Sequence, residues 1–438
     1  MNQQEHKSVL LFAAKLGYQT RSFDAAARRL GVRLAFVTDR CHELSTPWGD
    51  DAFAVRFDAP EHAAGRALQE FRKRHFAGVI AVGDRPTIAA AYTARGLGLA
   101  ANHPAAVEAC HNKLRMRQVC REAGLPTPWF RNVALNPEPE PALLGVRYPC
   151  VIKPLSLSAS QGVMRADNRE DFLAAMARLR SLFDRPELRA QREADLTQAL
   201  AEGYIAGSEV AVEGLLIDGA FKLLAIFDKP DPLEGPFFEE TIYVTPSRSS
   251  VARQDAIRRA TEAAARALGL SHGPVHAEFR INEQGVWPLE IAPRPIGGLC
   301  ARSLEFASPD YPHLISLEEL LLRHAIGEDV SKWQREELAS GVMMIPVPAS
   351  GVLESVQGVE DAQHVRSITE IEITARVRDT ILAWPEGSSY LGFIFAKAET
   401  VGDVENALRS AHSRLRFHIK AALPVEHPVT GKVLSPPS

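Results

Sequence analysis

The fold of this chain is decided by residues 274–298, PVHAEFRINEQGVWPLEIAPRPIGG. Two strand-like runs meet there at a turn over residues 282–284, and each run carries one carboxylate, Glu278 or Glu290, in an otherwise apolar setting. Buried carboxylates are costly unless they are paired or bound to a cation, and two on neighbouring strands repel each other unless a divalent cation lies between them. The pattern therefore predicts a Mg²⁺ site with oxygen ligands. The structural alternative is an ion pair with a nearby arginine, Arg280 or Arg294.

A second signal lies upstream, where Lys153 ends an apolar strand and directly precedes the small, polar residues 156–162. A lysine in this place can neutralise phosphate charge while the backbone N–H groups of the loop bind phosphate oxygens. The alternative is a lysine at a strand end that extends to solvent. Lys113, near the start of a helical pattern, is by itself typical of an exposed helix lysine. A further polar cluster runs over Glu202-Gly203-Tyr204-Ile205-Ala206-Gly207-Ser208-Glu209.

The first hundred residues alternate short apolar runs with helical patterns. The apolar runs are residues 8–14, 32–38 and 77–82. Strand–helix–strand units of this length predict a parallel, doubly wound sheet. Gly17 is expected in a strand-to-helix turn, and no G-x-G-x-x-G motif accompanies it, so a dinucleotide site is not predicted. Residues 136–141 predict a proline-rich surface connector and residues 186–201 a charged helical stretch.

Composition excludes several classes of protein. Among 438 residues, 50 are Lys or Arg and 54 are Asp or Glu, so the net charge of −4 offers no basic surface for nucleic acid. An apolar fraction of 46% excludes a disordered chain. The five cysteines are scattered without a Cys-x-x-Cys pair, and no run reaches the roughly 18 apolar residues of a membrane helix. We expect a folded, cytoplasmic protein with neither nucleic-acid nor membrane partners.

In this order and context, the polar clusters resemble those of the ATP-grasp superfamily of carboxylate–amine ligases. The markers are Asn112-Lys113 with Arg117, Lys153, Glu202 with Glu209, and Glu278 with Glu290 and Arg294. Within the superfamily the chain is similar to the L-amino acid ligase group, which joins two amino acids. The supporting segments are Asp228-Lys229-Pro230, Pro236-Phe237-Phe238-Glu239-Glu240-Thr241, Pro246-Ser247 and Arg294-Pro295-Ile296-Gly297-Gly298, together with an extra α+β tail.

The resemblance implies a multidomain α/β and α+β fold in three parts. These are an N-terminal doubly wound parallel α/β domain (residues 1–105), a two-part ATP-grasp domain (106–338, with a nucleotide lid at about 125–202) and a small C-terminal α+β domain (339–438). It also implies that the cofactors are ATP and Mg²⁺, with Mn²⁺ as a substitute. The implied partners are small-molecule carboxylates and amines, and a homodimer is compatible with this architecture.

The resemblance further implies a role for each site residue. The implied ATP-binding residues are Lys113 and Lys153 for the phosphates, Ser158, Ser160 and Gly162 in a mobile phosphate loop, Glu202 with the backbone of Tyr204 and Ile205 for adenine, and Glu209 for ribose. Glu278 and Glu290 are the implied metal ligands. Arg294, Gly297 and Gly298 are implied to stabilise the acyl phosphate and the tetrahedral intermediate, and Glu240, expected in a strand, to bind the amino group of the acyl donor.

The implied reaction is ADP-forming ligation through an acyl phosphate. Two alternatives stay open: a ligase or carboxylase acting on another small carboxylate, of the nucleotide-biosynthesis or biotin-dependent type, and a degenerate ATP-binding scaffold. One residue departs from the family pattern. Ala292 stands where the family often places an asparagine, so a second Mg²⁺ would lack one side-chain oxygen.

Overall fold

The computed structural model describes residues 7–14, 18–39, 51–135, 145–192, 195–421, 425–426 and 433–434. The predicted turn at Gly17 and the predicted connector at 136–141 lie outside these residues. Nowhere in the described part of the chain is a helix both long and apolar enough to span a membrane. The chain folds into two compact units. The first is Met1–Thr127, Val210–Ile226 and Ser249–Glu337, and the second is Pro128–Glu209, Phe227–Arg248 and Leu338–Ser438.

A parallel sheet forms the N-terminal part of the first unit. Its elements are β1 (Ser8–Ala13), α1 (Tyr18–Leu30), β2 (Arg33–Thr38), β3 (Ala52–Ala54), α2 (Pro60–Glu70), β4 (Gly78–Val82) and α3 (Thr87–Gly96). The strand order is β3-β2-β1-β4, and every pair is parallel. Val9 to Ala13 are all buried, as expected for a strand that is covered on both faces. The predicted parallel α/β domain is confirmed.

Two short helices follow, α4 (Pro104–His111) and α5 (Lys113–Glu122). Asn112 is the N-cap of α5, and its side chain accepts a hydrogen bond from the Arg115 N–H. Lys113 is therefore the first residue of α5. The residue is buried, which contradicts the expectation that this lysine alone would be an exposed helix residue.

The second unit begins with a four-stranded antiparallel sheet. Its elements are β5 (Phe130–Ala134), β6 (Cys150–Pro154), β7 (Met164–Ala166), α6 (Arg169–Phe183), α7 (Pro186–Gln191) and β8 (Gln198–Gly203). The strand order is β5-β8-β6-β7. Helix α6 is capped at Asn168, whose side chain accepts hydrogen bonds from two backbone N–H groups, and its apolar face is part of the core that also contains β6 and β8.

The predicted helical stretch over residues 186–201 is wrong after Gln191. Residues Ala199, Leu200 and Ala201 favour helix by intrinsic propensity, yet they lie in β8. Strand β8 pairs with β5 on one side and with β6 on the other, so its backbone hydrogen bonds are made within the sheet. All three side chains are buried, and this packing outweighs local propensity.

The middle of the chain contributes residues to both units. Its elements are β9 (Ser208–Ile217), β10 (Ala220–Lys229), β11 (Ile242–Thr245), α8 (Val251–Ala267), β12 (Gly273–Asn282), β13 (Gly285–Ala292), a 3₁₀ turn (Cys300–Ser303), β14 (Glu305–Ser308), β15 (Tyr311–Ser316), α9 (Leu317–Ala325) and β16 (Gln334–Arg335). In the first unit the order is β13-β12-β9-β10, with α4, α5 and α8 packed into the same core. The predicted hairpin is confirmed, with Asn282 paired to Gly285 across a two-residue turn.

The C-terminal residues add a second sheet to the second unit. Its elements are β17 (Ala339–Ile345), β18 (Gly351–Gln357), α10 (Val359–Gln363), β19 (Ile368–Ile373), β20 (Thr380–Ile381), β21 (Gly392–Ala398), α11 (Val401–His412), β22 (Arg416–Lys420), β23 (Val425–Glu426) and β24 (Val433–Leu434). Strands run in the order β11-β17-β21-β19, and the apolar face of α11 packs against them. A smaller sheet has the order β20-β18-β22. The boundaries of the three predicted domains stay a prediction.

Candidate functional site

The first unit brings Glu278 and Glu290 opposite each other. They are register partners across β12 and β13, and the register shifts immediately after Glu278. Lys113 Nζ lies 3.6 Å from Glu290 Oε2, and Arg294 Nη2 lies 3.7 Å from Glu290 Oε1. The positive charges of Lys113 and Arg294 offset the repulsion between the two carboxylates. Both distances to Glu290 are longer than a hydrogen bond. Carboxylate oxygens are the ligands that a hard divalent cation prefers, so this set of residues fits Mg²⁺.

Arg294 is buried and held by Asp84, a residue that the sequence analysis did not select. Arg294 Nε donates to Asp84 Oδ1 at 2.6 Å, and Nη2 donates to Oδ2 at 3.1 Å. Burial by itself raises the pKa of Asp84, but the Arg294 guanidinium outweighs burial and lowers this pKa to about 2. The carboxylate is thus charged over the whole physiological range. Asp84 is the second residue after β4, at the carboxyl end of the strand, where open α/β sheets place their ligand sites.

A second buried pair lies beside the carboxylates. His276 Nδ1 is hydrogen-bonded to Glu213, and Ile296 N–H donates to the other oxygen of Glu213 at 3.2 Å. Burial lowers the pKa of His276, but the charge and hydrogen bond of Glu213, aided by Glu278 at 3.6 Å, raise it to about 9. His276 lies opposite Ala292 in the hairpin. The position opposite Ala292 is thus filled by an imidazole whose Nδ1 is already bonded to Glu213.

In the loop after Arg294, one backbone N–H is hydrogen-bonded and the next residue has free space beside it. The Ile296 N–H is bonded to Glu213, whereas a Cβ at Gly297 would meet no atom within 4 Å. Gly298 has a φ of 61°, in the left-handed region that favours glycine. Gly297 therefore leaves room beside the backbone for a ligand to approach.

In the second unit, Lys153 of β6 forms an ion pair with Glu202 of β8. The Nζ to Oε1 distance is 2.7 Å, and both side chains are buried. The lysine therefore does not extend freely to solvent, which was the structural alternative for this residue. A buried ammonium that ends a strand next to a loop of small residues is suited to receive an anionic group.

Next to this pair lies an apolar patch suited to a flat ring. Val151, Leu233 and Phe238 form a small buried cluster, with Val163 and Tyr204 packed against it. The patch was not predicted as a unit, although Phe238 belongs to a segment that the sequence analysis singled out. The Tyr204 N–H donates to the Pro149 carbonyl at 3.1 Å, so this N–H is not the backbone group that would hold a base.

Lys229 lies between two carboxylates. Its Nζ donates to Glu209 Oε1 at 2.7 Å and to Glu240 Oε1, and it lies 4.9 Å from the centre of the Tyr243 ring. Strand β10 ends at Lys229. Glu240 was expected in a strand, and this is wrong: β11 begins two residues later. Lys229 is thus a shared hydrogen-bond donor that holds Glu240 close to Glu209.

The small, polar loop at residues 156–162 has an unusual backbone. Ala159 and Ser160 have φ values of 55° and 54°, and Gly162 has 73°. Turn hydrogen bonds run from Gln161 N to Ser158 O at 3.2 Å and from Val163 N to Ser160 O at 3.1 Å. A further bond runs from Gly162 N to Pro385 O at 2.8 Å, so the N–H groups of Gln161, Gly162 and Val163 are all bonded to carbonyls of the protein. The predicted phosphate-binding role of this loop stays a prediction.

Comparison with known families identifies two domains. Residues 146–303 match the model of an ATP-grasp domain, and residues 343–420 match L-amino acid ligase C-terminal domain 2. An uncharacterized protein of Sinorhizobium fredii is 26% identical over 74% of this chain and 64% of its own length. The alanine–anticapsin ligase of Bacillus amyloliquefaciens is 30% identical over 46% of this chain and 44% of its own length. The chain thus matches less than two thirds of each of these relatives.

Solved structures extend the similarity to nearly the whole chain. The crystal structure of L-amino acid ligase from Bacillus licheniformis superposes with a TM-score of 0.78 and 25% identity, covering 95% of this chain and 99% of that one. The N5-carboxyaminoimidazole ribonucleotide synthetase of Thermotoga maritima gives a TM-score of 0.66 at 14% identity over 94% and 100% of the two chains, and so shares the fold. The resemblance seen in the sequence is confirmed: the chain carries an ATP-grasp domain followed by L-amino acid ligase C-terminal domain 2.

Proposed function

We propose that this chain is an ADP-forming carboxylate–amine ligase that joins amino acids through an acyl-phosphate intermediate. The observation that carries the proposal is the buried Arg294, which Asp84 fixes through two hydrogen bonds and which lies 3.7 Å from Glu290 in the paired carboxylate hairpin. A rigid guanidinium beside two metal-binding carboxylates is suited to anionic oxygens. The similarity to the L-amino acid ligase structure over 95% of the chain supports the same reaction class.

The residues of the first unit serve the reacting groups in this proposal. Glu278 and Glu290 hold Mg²⁺, or Mn²⁺ in its place, and the ion when bound neutralises charge on the nucleotide phosphates. Lys113, 3.6 Å from Glu290, adds a further positive charge for phosphate. Arg294, with the backbone of Gly297 and Gly298, stabilises the negative charge of the acyl phosphate and of the tetrahedral intermediate.

The residues of the second unit serve the nucleotide. Lys153 offsets phosphate charge, and the loop of Ser158, Ser160 and Gly162 binds phosphate oxygens through its serine hydroxyls. Adenine packs on the apolar patch around Phe238. Its polar contacts are the Glu202 side chain, the Tyr204 carbonyl and the backbone of Ile205. Glu209 binds the ribose hydroxyls. These assignments divide ATP recognition into an apolar part for the base and a cationic part for the phosphates.

The proposed chemistry has two steps. A carboxylate oxygen of the first substrate attacks the γ-phosphorus of ATP, the bond from that phosphorus to the bridging oxygen breaks, and ADP leaves. The amine of the second substrate then attacks the acyl carbon, the carbon–oxygen bond to phosphate breaks, and the amine loses a proton. Positioning and charge neutralisation account for the catalysis, and no covalent enzyme nucleophile is required.

We propose amino acids for both substrates because the named relatives join them. The alanine–anticapsin ligases and a D-alanine–D-alanine ligase, 29% identical over 36% of this chain, each take alanine according to their names. Glu240, next to Lys229, binds the amino group of the acyl donor in this proposal. A cytoplasmic location and a homodimer complete the proposal.

The first experiment measures ADP release from Mg·ATP with amino acids supplied singly and in all pairs, with mass detection of the products. We expect at least one pair to release ADP and to give a product whose mass equals the sum of the two substrate masses less one water. ADP release with bicarbonate or with a non-amino carboxylate alone would support a different ATP-grasp ligase. Tight ATP binding with no ADP release under any mixture would contradict the ligase proposal.

A further inference from the structure

A three-residue segment of the C-terminal part of the second unit is hydrogen-bonded to the loop at residues 156–162. We call this segment, residues 384–386, the brace. The Trp384 indole Nε1 donates to the Ala159 carbonyl at 3.1 Å. Gly162 N–H donates to the Pro385 carbonyl at 2.8 Å, and the Gln161 side-chain amide donates to the Glu386 carbonyl at 2.8 Å. Each residue of the brace thus makes one hydrogen bond to the loop.

The brace is itself anchored to helix α6. Arg178 Nε donates to Glu386 Oε1 at 2.8 Å, and Nη2 donates to Oε2 at 3.0 Å, which is the strong bidentate geometry of an arginine and a carboxylate. The Glu386 side chain is only 12% exposed, so solvent screens this pair less than a typical surface ion pair. The Trp384 ring is buried and packs on Tyr390 with 4.9 Å between ring centres. The position of the brace is therefore fixed independently of the loop.

The loop requires such support because its backbone is strained. Ala159 and Ser160 both occupy the left-handed region, where the Cβ lies too close to the following carbonyl oxygen. Backbone of this kind persists only when the surrounding structure makes enough contacts to hold it. The contacts from the brace fall on Ala159, Gln161 and Gly162, within and directly after the strained pair.

We infer that the brace is a positioning element that keeps residues 156–162 in the conformation that binds nucleotide phosphates. This inference rests on the proposed function to the extent that the loop is taken to bind ATP. It gives the L-amino acid ligase C-terminal domain 2, which contains Trp384, Pro385 and Glu386, a part in ATP affinity. The brace acts through the loop, whereas adenine and ribose are assigned to other residues. Loss of the brace therefore weakens the binding of the phosphates and not that of the nucleoside.

The test substitutes Trp384→Phe, which keeps an aromatic ring on Tyr390 and removes the hydrogen bond to Ala159. Calorimetric titration with a non-hydrolysable ATP analogue and with adenosine separates the phosphates from the nucleoside. We expect the affinity for the ATP analogue to fall about tenfold while that for adenosine changes less than twofold. In steady state, KM for ATP rises by a similar factor and kcat changes less. Amide hydrogen exchange at Gly162, whose N–H is bonded to the brace, becomes faster.

The matched control is Trp287→Phe, which removes a similar indole hydrogen bond, from Trp287 Nε1 to Asn282 Oδ1 at 3.1 Å, in the turn of the β12–β13 hairpin. We expect the Trp287→Phe variant to bind the ATP analogue with an affinity within twofold of that of the parent chain. If Trp384→Phe fails to fold, Glu386→Gln replaces it, because this change weakens the pair with Arg178 and keeps the buried ring. Equal losses for adenosine and for the ATP analogue, or unchanged affinity for both, would overturn the inference.

The outcome for the unmodified chain separates this inference from the proposed function. A chain that binds the ATP analogue more tightly than adenosine but releases no ADP with any amino-acid pair contradicts the ligase proposal alone, and the brace is then judged by binding. A chain that binds both ligands equally has no phosphate-binding loop, and this result overturns the role of the brace as well.

Discussion

Arg294 is clamped by Asp84, with Nε 2.6 Å from Oδ1 and Nη2 3.1 Å from Oδ2. The two hydrogen bonds are parallel and fix the plane of the guanidinium as well as its position. A third nitrogen, Nη1, donates to the Pro295 carbonyl at 3.0 Å. Arg294 therefore has one defined orientation before any ligand binds, which is the condition for electrostatic preorganisation.

Replacing Asp84 by asparagine is expected to lower kcat for ADP release about tenfold or more and to change KM for ATP less than threefold. The amide offers one oxygen in place of two, so the guanidinium loses its fixed plane. Asp58→Asn is the control, because Asp58 also accepts two hydrogen bonds from an arginine, Arg56, at an exposed position. Full activity in the Asp84 variant would show that the clamp is not needed for catalysis.

Glu290→Gln is expected to reduce turnover by orders of magnitude and to leave the melting temperature near that of the parent. The substitution keeps the shape of the side chain and removes the negative charge that a Mg²⁺ ligand supplies. Turnover and melting temperature are measured together, with Glu283→Gln as the control at an exposed position in the turn of the same hairpin. Unchanged turnover in Glu290→Gln would refute the metal assignment.

Lys153→Met is expected to abolish ADP release and also to lower the melting temperature by several degrees at pH 7. The buried Glu202 carboxylate loses the ammonium that lies 2.7 Å away, and breaking a buried ion pair from one side costs about 3–5 kcal/mol. The double variant Lys153→Met, Glu202→Gln should recover most of this stability and none of the activity. If the single variant melts like the parent, the pair contributes little to the fold.

Acid is expected to destabilise the first unit through His324 and His272, whose rings lie 4.5 Å apart. Burial, followed by repulsion from His272, lowers the pKa of His324 to about 4, and burial also lowers the pKa of His272. The unfolded chain, with ordinary values near 6.5, binds these protons first. The contribution of the two neutral histidines to the free energy of unfolding is therefore fully present above pH 6.5. It is lost as the pH falls towards 4, by up to about 1.4 kcal/mol per pH unit for each histidine.

Melting temperatures at pH 7.5 and 5.0 check this prediction. His324→Gln should show a smaller drop between the two pH values than the parent. His364→Gln, at an exposed histidine, should match the parent. An equal drop in all three chains would mean that other groups control the acid sensitivity.

Gly162→Ala is expected to destabilise the second unit and to weaken ATP binding. Its φ of 73° disfavours any Cβ, and a Cβ there would lie 2.8 Å from Leu179 Cδ2 and 2.9 Å from Pro154 Cγ. Gly65→Ala is the opposite case, because Gly65 lies inside α2 and a Cβ there would meet nothing within 4 Å. We expect Gly65→Ala to stabilise by about 0.5–1 kcal/mol. Melting curves of both variants give the comparison.

The features that could be predicted best are those set by residues close together in the sequence. The facing positions of Glu278 and Glu290 follow from a two-residue turn and the alternation of strand side chains, so they could be predicted. The parallel sheet followed in the same way from alternating apolar runs and helices. Lys153 was placed correctly at the end of β6, but its partner Glu202 comes from β8, a strand that local propensity had made helical.

The remaining site residues depend on long-range packing. Asp84 reaches Arg294 across 210 positions of sequence, and nothing local to either residue specifies that distance. Glu213 left a signal that could have been used, because a carboxylate stands within the otherwise apolar strand β9. Two of the contacts between the brace and residues 156–162 join positions 225 apart, so only the folded chain reveals them.

Each unit is assembled from three separate stretches of chain, because β9 and β10 run from one unit into the other. On the ribosome, the first unit cannot be completed until Glu337 has emerged, and the second gains its strand β17 only after that. Contacts between such distant segments form slowly, and a nascent chain meanwhile exposes unpaired apolar strands. An N-terminal fragment that stops short of Glu337 lacks part of both units, so we expect the need for chaperones during synthesis to last until that point.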